Sequence, residues 1–504
     1  MSRLSTFPFF ATALLFYVAS SGFATAEEKP PNVILIYADD LGIGMFGCYG
    51  QKLVKTPHID KLATEGMKFS NYYGGVFCAP ARWTLHTGMH DGRSEGWKQN
   101  QSGFLIKQDI AGVQELGYTL NFNAYVEKPS VPIPENEIFL AQVAKQAGYK
   151  TIQVGKLDVG FLTNHERVKR FGWDEYEGYF SHSRCHGFYP PYLWRNSEKF
   201  LLEGNPDPKC GKMSEKGDEP VWSGGKTYSQ NVFIKSILEF LRANKDEPFF
   251  LYHPTQLPHG PVAIPELHPD FADLPNLSLA EKKYASMIKM LDDHVGLVMP
   301  ELKDLGIDDN TLVVFVSDNG HELYYGPKPS YPKKRPNGDA TNLTDKEWRT
   351  SDCGDVFDGT AGRAGLKRSG YQGGHQCPLI ARWPGKIKAG TESNHLSAHY
   401  DFIVTLSEVV GRDKPKGKDG ISCLPTLLGK PQSSKHDHVV INNHFSKMAR
   451  SCLITKEGWK LVEIDQNKNH YQLYDLNSDN EERHDLAAEH PDHVAALQPS
   501  LSRS

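Results

Sequence analysis

The run NVILIYADD at residues 32–40 is an unbroken stretch of aliphatic, β-branched and aromatic side chains that stops at two aspartates. A strand with one wet face alternates apolar and polar residues, so a strand that does not alternate is covered on both faces, as in a sheet sandwiched between helices. Open sheets of that kind place their sites at the carboxyl ends of the strands, which is where Asp39 and Asp40 fall. TLVVFVSDNG (311–320) repeats the design with Asp318 and Asn319. EPFFLYHPTQLPHGP (247–261) leads into a proline-rich loop carrying His253 and His259, and GYKTIQVGKLDVG (148–160) ends near Lys156 and Asp158. Between these runs, NEIFLAQVAKQAG and YASMIKMLDDHVGLVMPELKDLG space their apolar residues as amphipathic helices do. Strands alternating with helices predict an α/β fold around a large, mostly parallel sheet sandwiched by helices.

Residues 1–26 open with one positive charge, Arg3, followed by an apolar run too short to span a bilayer and by Ala24-Thr25-Ala26. This is the pattern of a cleavable secretory signal peptide. No later stretch approaches the ~18 consecutive apolar residues of a spanning helix, so a periplasmic or secreted protein is expected. The remaining roughly 480 residues exceed the ~250–300 at which single cores stop growing. They predict a catalytic α/β domain over 27–435 and a small α+β unit over 436–504, with KPQSSKHDH as linker and HVVINNH, SCLITKEGWKLVEI and YQLYDL as short strands. A formal net charge of −5 without a basic run excludes nucleic acid as a partner. The eight cysteines have no C-x-x-C spacing, and in an exported protein some are free to pair. Residues 321–360, polar and rich in Pro, Lys, Asp and Gly, read as a long surface insertion.

Two carboxylate pairs or mixed carboxylate–amide pairs at strand ends, without His or Cys beside them, suit a hard cation such as Ca²⁺ or Mg²⁺ rather than zinc. Lys156, Lys367 and Arg82 lie in or beside glycine-containing turns or loops. Singly, each reads as a surface charge; gathered round a cation, they build a compartment for a tetrahedral anion. Cys78 in VFCAPARWTLHTG, four residues before Arg82 with Pro80 between them, reads first as a small buried apolar residue.

Taken together, these pieces resemble the formylglycine-dependent sulfatases. Cys78-Ala79-Pro80-Ala81-Arg82, followed by Thr87-Gly88, is similar to the C-x-P-x-R element of that family. The double Asp, GYKT…GK, LPHGP, VSDNG, GLKRSGYQGG…P, RWPGKI and LYDLNSDNEERHDLA follow in the family's order over nearly the whole chain beyond the signal. The resemblance implies an alkaline-phosphatase-like fold and a sulfuric ester hydrolase. It implies that a formylglycine-generating enzyme converts Cys78 to 3-oxoalanine (formylglycine), whose hydrate attacks sulfur and then expels sulfate. It further implies that Asp39, Asp40, Asp318 and Asn319, with residue 78, hold Ca²⁺, Mg²⁺ being the alternative. Arg82 then holds the hydrate, Lys156 and Lys367 bind sulfate oxygens, and His259 donates a proton to the leaving oxygen. The expected substrate is a sulfated carbohydrate, a sugar or polysaccharide.

The pattern departs from the family in places. Gly155-Lys156-Leu157-Asp158-Val159-Gly160 stands where many members read G-K-W-H-L-G, so Asp158 replaces a histidine. SHSRCHGFYPPYLWRNSEK (181–199) resembles an element of the bacterial polysaccharide-sulfatase branch. It offers His186, and with it His182 and Arg184, as replacements, Asp158 itself being the other option, and its Trp, Tyr and Arg side chains are expected to grip sugar. Gln372, where the family has Glu, reads as structural. Two rivals stay open: a phosphomonoester or phosphonate hydrolase of the same superfamily, and a catalytically inactive glycan-binding homologue in which Cys78 stays unmodified.

Overall fold

The computed structural model describes residues 29–93, 133–157, 159–211, 225–325, 349–441, 451–465 and 469–502, with Met1 and Val126. The expected signal segment, Asp158 and residues 326–348 of the expected insertion lie outside the described residues. In chain order the strands of the first part are β1 (Asn32–Ala38), β2 (Met67–Phe69), β3 (Tyr72–Tyr73), β4 (Lys150–Gly155), β5 (Glu175–Gly178), β6 (Tyr192–Arg195), β7 (Glu198–Leu201) and β8 (Phe249–Pro254). They are followed by β9 (Thr311–Ser317), β10 (Leu379–Arg382), β11 (Thr391–Ser393), β12 (Ser397–Ala398), β13 (His438–Ile441), β14 (Cys452–Thr455), β15 (Trp459–Asp465) and β16 (His470–Asp475).

Every residue of β1 is buried, and its side chains alternate between two cores. Val33, Leu35 and Tyr37 join one hydrophobic cluster, while Ile34, Ile36 and Ala38 join the other. The absence of alternation in the sequence thus has its cause in two covered faces, each fully buried Val, Leu or Ile contributing ~1.5–3 kcal/mol. The large sheet has ten strands in the order β11-β2-β10-β9-β1-β8-β4-β5-β6-β7. Its centre, β9-β1-β8-β4-β5, is parallel, but β10 runs antiparallel to β9 and β2, and β6 antiparallel to β5 and β7. The sheet is therefore mostly parallel as expected, with a parallel centre flanked by reversed strands.

The parallel centre puts the carboxyl ends of β1, β4, β8 and β9 on one edge. Register aligns them: Ala38 lies opposite Ser317 and Tyr37 opposite Pro254. The long helix Leu279–Asp304 covers one face and opens with a capping box, Ser278 and Glu281 satisfying each other's backbone donors. Among the described residues no helix is long and apolar enough to cross a membrane.

β13–β16 form a separate four-stranded antiparallel sheet with the helix Pro491–Ser502 against it. Its other face is continuous with the main core through Val439, Ile441, Ile454 and Val462. A buried pair, Lys460 Nζ to Glu482 at 2.6 Å, sits at this junction, and Gln372 donates its backbone N–H to Glu482 at 2.7 Å. Gln372 thus tethers the two sheets. His436, in the expected linker, pairs with Asp401 at 2.7 Å. Cys48, Cys78, Cys185, Cys377, Cys423 and Cys452 carry free thiols.

Candidate active site

Asp39, Asp40, Asp318 and Lys156 are delivered where strands end at the carboxyl edge of the sheet, Cys78 and Arg82 by a helix, and Lys367 by a loop. Asp39 and Asp40 leave β1, and Asp40 adopts a left-handed φ of 62° that turns its carboxylate back over the strand end. Asp318 leaves β9; its N–H is bonded to Ala38 O at 3.1 Å, and its Oδ1 accepts from the Asp40 N–H at 2.9 Å. Lys156 follows Gly155, whose φ of 137° and contact with the Pro254 carbonyl leave no room for a Cβ. Cys78 begins the helix Cys78–Thr87, which tolerates Pro80 in its first turn and ends on Gly88 at φ 69°. Arg82, one turn on from Cys78, shares its helix face. The amide groups of that first turn add a partial positive charge to the site.

The distances are short. Cys78 Sγ lies 3.3 Å from Asp39 Oδ1, 3.7 Å from Asp40 Oδ1 and 3.4 Å from Lys367 Nζ. Lys156 Nζ reaches Asp39 Oδ2 at 2.5 Å, and Lys367 Nζ reaches Asp40 Oδ2 at 2.6 Å. Arg82 lies 3.4 Å from Asp318 and 3.8 Å from Asp39, and its guanidinium also covers the Tyr37 ring at 5.1 Å. His259 Nε2 stands 3.3 Å from Asp40 Oδ2, while Nδ1 is 2.6 Å from the Gly260 carbonyl. A carbonyl only accepts, so Nδ1 carries the proton and Nε2 is left facing the cluster. Asn319 Nδ2 donates to Asp40 at 2.8 Å, and its Oδ1 is buried with no hydrogen-bond partner.

Three carboxylates buried together cannot all ionise easily. Burial works against ionised Asp39, but Lys156, His259 and Arg82 hold its pKa well below the usual range. Asp40, opposed by burial and drawn down mainly by Lys367, sits at about 2. Asp318 absorbs the conflict: burial, then Asp39 and Asp40, push it well above the ordinary carboxylate value. Burial and the same two aspartates push the Cys78 thiol up strongly, so it stays protonated. Burial lowers His259 to about 4, against the pull of Asp40 and Asp39.

The structure thus brings Asp39, Asp40, Asp318, Asn319, Cys78, Arg82, Lys156, Lys367 and His259 into one cluster. His186 joins it by stacking on His259, ring centroids 4.2 Å apart and 9° from parallel, and His182 packs edge-on against His186 at 4.8 Å. Arg184 is buried with its guanidinium 4.2 Å over the Tyr192 ring. His253 lies within β8 rather than in the loop, its Nδ1 donating to Val154 O at 2.7 Å. The expected sugar-gripping aromatics are core instead: Tyr189, Tyr192 and Trp194 are buried, Trp194 stacking on Phe180 at 4.5 Å. At the described ends of the segment expected as surface insertion, His321, Leu323, Tyr325, Thr350 and Thr360 are buried instead.

Several partners escaped the sequence reading. Tyr252 accepts from Arg82 at 3.4 Å, His399 donates to the Asp318 carbonyl at 3.0 Å, and Tyr324 donates to Asp40 Oδ2. His58, Asp292 and Asp293 form a second cluster, but Asp292 caps the helix Pro57–Thr64 and Lys289 pairs with both acids.

A family model described as Sulfatase matches residues 31–412, and one described as N-sulphoglucosamine sulphohydrolase, C-terminal, matches residues 365–503. Human N-acetylgalactosamine-6-sulfatase is 30% identical over 414 residues, covering 80% of this chain and 67% of its own. The N-acetylgalactosamine-6-O-sulfatase of Bacteroides thetaiotaomicron is 28% identical over 94% of this chain and 93% of its own. A solved structure described under the metabolism of multiple glycosaminoglycans by Bacteroides thetaiotaomicron superimposes with a TM-score of 0.70 at 25% identity, covering 94% of this chain and 99% of its own.

Proposed function

Because the chain belongs to the sulfatase family and is a sulfuric ester hydrolase, we propose that it is exported and releases inorganic sulfate from a sulfated sugar, using a formylglycine made from Cys78 and a Ca²⁺ ion. The observation that carries this reading is the setting of Cys78. Its sulfur is wedged between Asp39, Asp40 and Lys367, where the thiol is kept protonated and is a poor nucleophile. Oxidised and hydrated, residue 78 supplies hydroxyl oxygen for attack on sulfur instead.

The donor set fits a hard cation. Asp39, Asp40, Asp318 and Asn319 offer oxygen only, Asn319 Oδ1 has no other partner, and the raised Asp318 marks negative charge that a dication relieves. Ca²⁺ bound there supplies positive charge toward the sulfate oxygens. Lys156 and Lys367 are held as ammonium groups by their carboxylates and present donors to a tetrahedral anion from two sides. Arg82 braces Asp318 and Asp39 from behind. His259 keeps Nε2 turned to the cluster, placed to protonate a leaving alcohol oxygen, and an anionic ester beside it favours the imidazolium that burial disfavours.

Relatives named for N-acetylgalactosamine 6-sulfate esters support that sugar as the first substrate to try. Protein made beside a formylglycine-generating enzyme is digested, residue 78 is read by mass spectrometry, and sulfate release is followed on a panel of sulfated sugars. Conversion at residue 78 and release from at least one sugar are expected. A retained thiol, with Cys78→Ala as active as the parent, sinks the mechanism, and faster turnover of a matched phosphate ester favours the phosphohydrolase rival.

A further inference from the structure

Tyr324 lies in a segment whose composition reads as surface loop, yet its position is fixed from both sides. Burial alternates along 321–325: His321, Leu323 and Tyr325 are buried, Glu322 and Tyr324 only partly. The His321 N–H donates to Gly373 O at 3.0 Å, the Lys367 N–H to His321 O at 2.8 Å, and the Tyr325 hydroxyl to Asp355 at 2.9 Å. The His321 backbone before Tyr324 and the Tyr325 side chain after it are therefore tied to the segment between Asp355 and Gly373 that delivers Lys367.

What Tyr324 does with that position is specific. Its hydroxyl donates to Asp40 Oδ2 and lies 3.5 Å from Lys367 Nζ. Lys367 Nζ at 2.6 Å and His259 Nε2 at 3.3 Å approach the same carboxylate oxygen. Two donors, the Lys367 ammonium and the Tyr324 hydroxyl, and the His259 Nε2 thus converge from separate loop segments on one point beside Cys78. The Tyr324 ring packs on His259 as well, centroids 4.9 Å apart at 40°, while His186 stacks on that imidazole at 4.2 Å. A Cβ on Gly260 would overlap the Tyr324 ring, so the residue after His259 leaves the room that the ring fills.

We propose that Tyr324 is a further substrate-side residue of the sulfatase reaction: its hydroxyl, turning from Asp40, donates to the sulfate group beside Lys367, and its ring holds His259 Nε2 toward the leaving oxygen. The proposal rests on the sulfatase reading and separates into two parts that different substitutions address. Tyr324→Phe removes the hydroxyl and keeps the ring. Loss of one hydrogen bond to an anion lowers kcat/KM about 10- to 100-fold, equally on a nitrophenyl sulfate and on a sulfated sugar, because the sulfate group is common to both. Tyr324→Leu removes the ring too. It adds a further loss of about tenfold on the sugar, whose alkoxide needs a proton, and little on the nitrophenyl ester, which does not.

Both variants are checked for wild-type formylglycine content and melting temperature, and the Phe variant stands alone if the Leu variant does not fold. Tyr324→Phe within twofold of the parent on both substrates overturns the hydroxyl's role. A Leu variant that loses no more on the sugar than the Phe variant overturns the ring's. A parent protein that releases sulfate from neither substrate overturns the sulfatase reading itself and this inference with it.

Discussion

Replacing Lys367 with methionine keeps an unbranched side chain one atom shorter and deletes its charge. Its ammonium is 2.6 Å from Asp40 Oδ2 and 3.4 Å from Cys78 Sγ, with both Lys367 and Asp40 buried. Burial alone raises Asp40; Lys367 is the strongest of the forces that bring it instead from 3.8 to about 2. At about 1.36 kcal/mol per tenfold change in affinity, that fall is worth about 2 kcal/mol of folding free energy. Because the folded-state pKa is depressed, the contribution is present above the ordinary carboxylate value and disappears as pH falls through about 2. An unpaired buried carboxylate costs about 3–5 kcal/mol where it cannot relax, which sets the upper bound for the variant at neutral pH. Urea titrations in EGTA should therefore find Lys367→Met less stable than the parent by about 2–5 kcal/mol at pH 7, with a smaller gap at pH 3. Sulfate release should fall ~10²–10³-fold, as for loss of one preorganised donor to a developing anion. A stability gap that stays constant between the two pH values would refute the linkage to Asp40. Activity within threefold of the parent, with residue 78 converted, would refute the contact with substrate.

Three other outcomes are expected. Dialysis against EGTA should abolish sulfate release and lower the melting temperature, Ca²⁺ restoring both and adding about 2.7 kcal/mol at a hundredfold excess over its Kd; a melting temperature indifferent to EGTA counts against the cation. His259→Ala should cost ~10²–10⁴ in kcat on a sulfated sugar and far less on a nitrophenyl sulfate, and equal losses on both argue against proton donation. Lys460→Met should leave Glu482 buried and unpaired between the two sheets, destabilising the chain by about 3–5 kcal/mol in denaturant titrations at pH 7, whereas Lys460→Met with Glu482→Gln should recover much of the loss.

The parts of this site that were legible in the sequence are those the backbone enforces. A strand covered on both faces cannot hide polar residues, so β1 and β9 announce their ends where Asp39 and Asp318 begin, and a parallel centre brings those ends to one edge. Cys78 and Arg82 were legible only through their resemblance to the C-x-P-x-R element, and the structure adds that one helical turn puts them on one face. Side chains that act from irregular segments have no such period. Tyr324 was hidden because its neighbours' alternating burial, with His321, Leu323 and Tyr325 inward, spans too few residues to stand out from the polar stretch that follows. Tyr189, Tyr192 and Trp194 failed in the opposite direction, since an aromatic residue that stacks on sugar and one that fills a core are the same letter. Tyr252 and His399 illustrate the remaining limit. Tyr252 steadies the Arg82 guanidinium from the far side, and His399 holds the main-chain carbonyl of Asp318. Such contacts depend on which strands become neighbours, so they become readable only once β8 is placed near β1 and β9, and β12 beside β3.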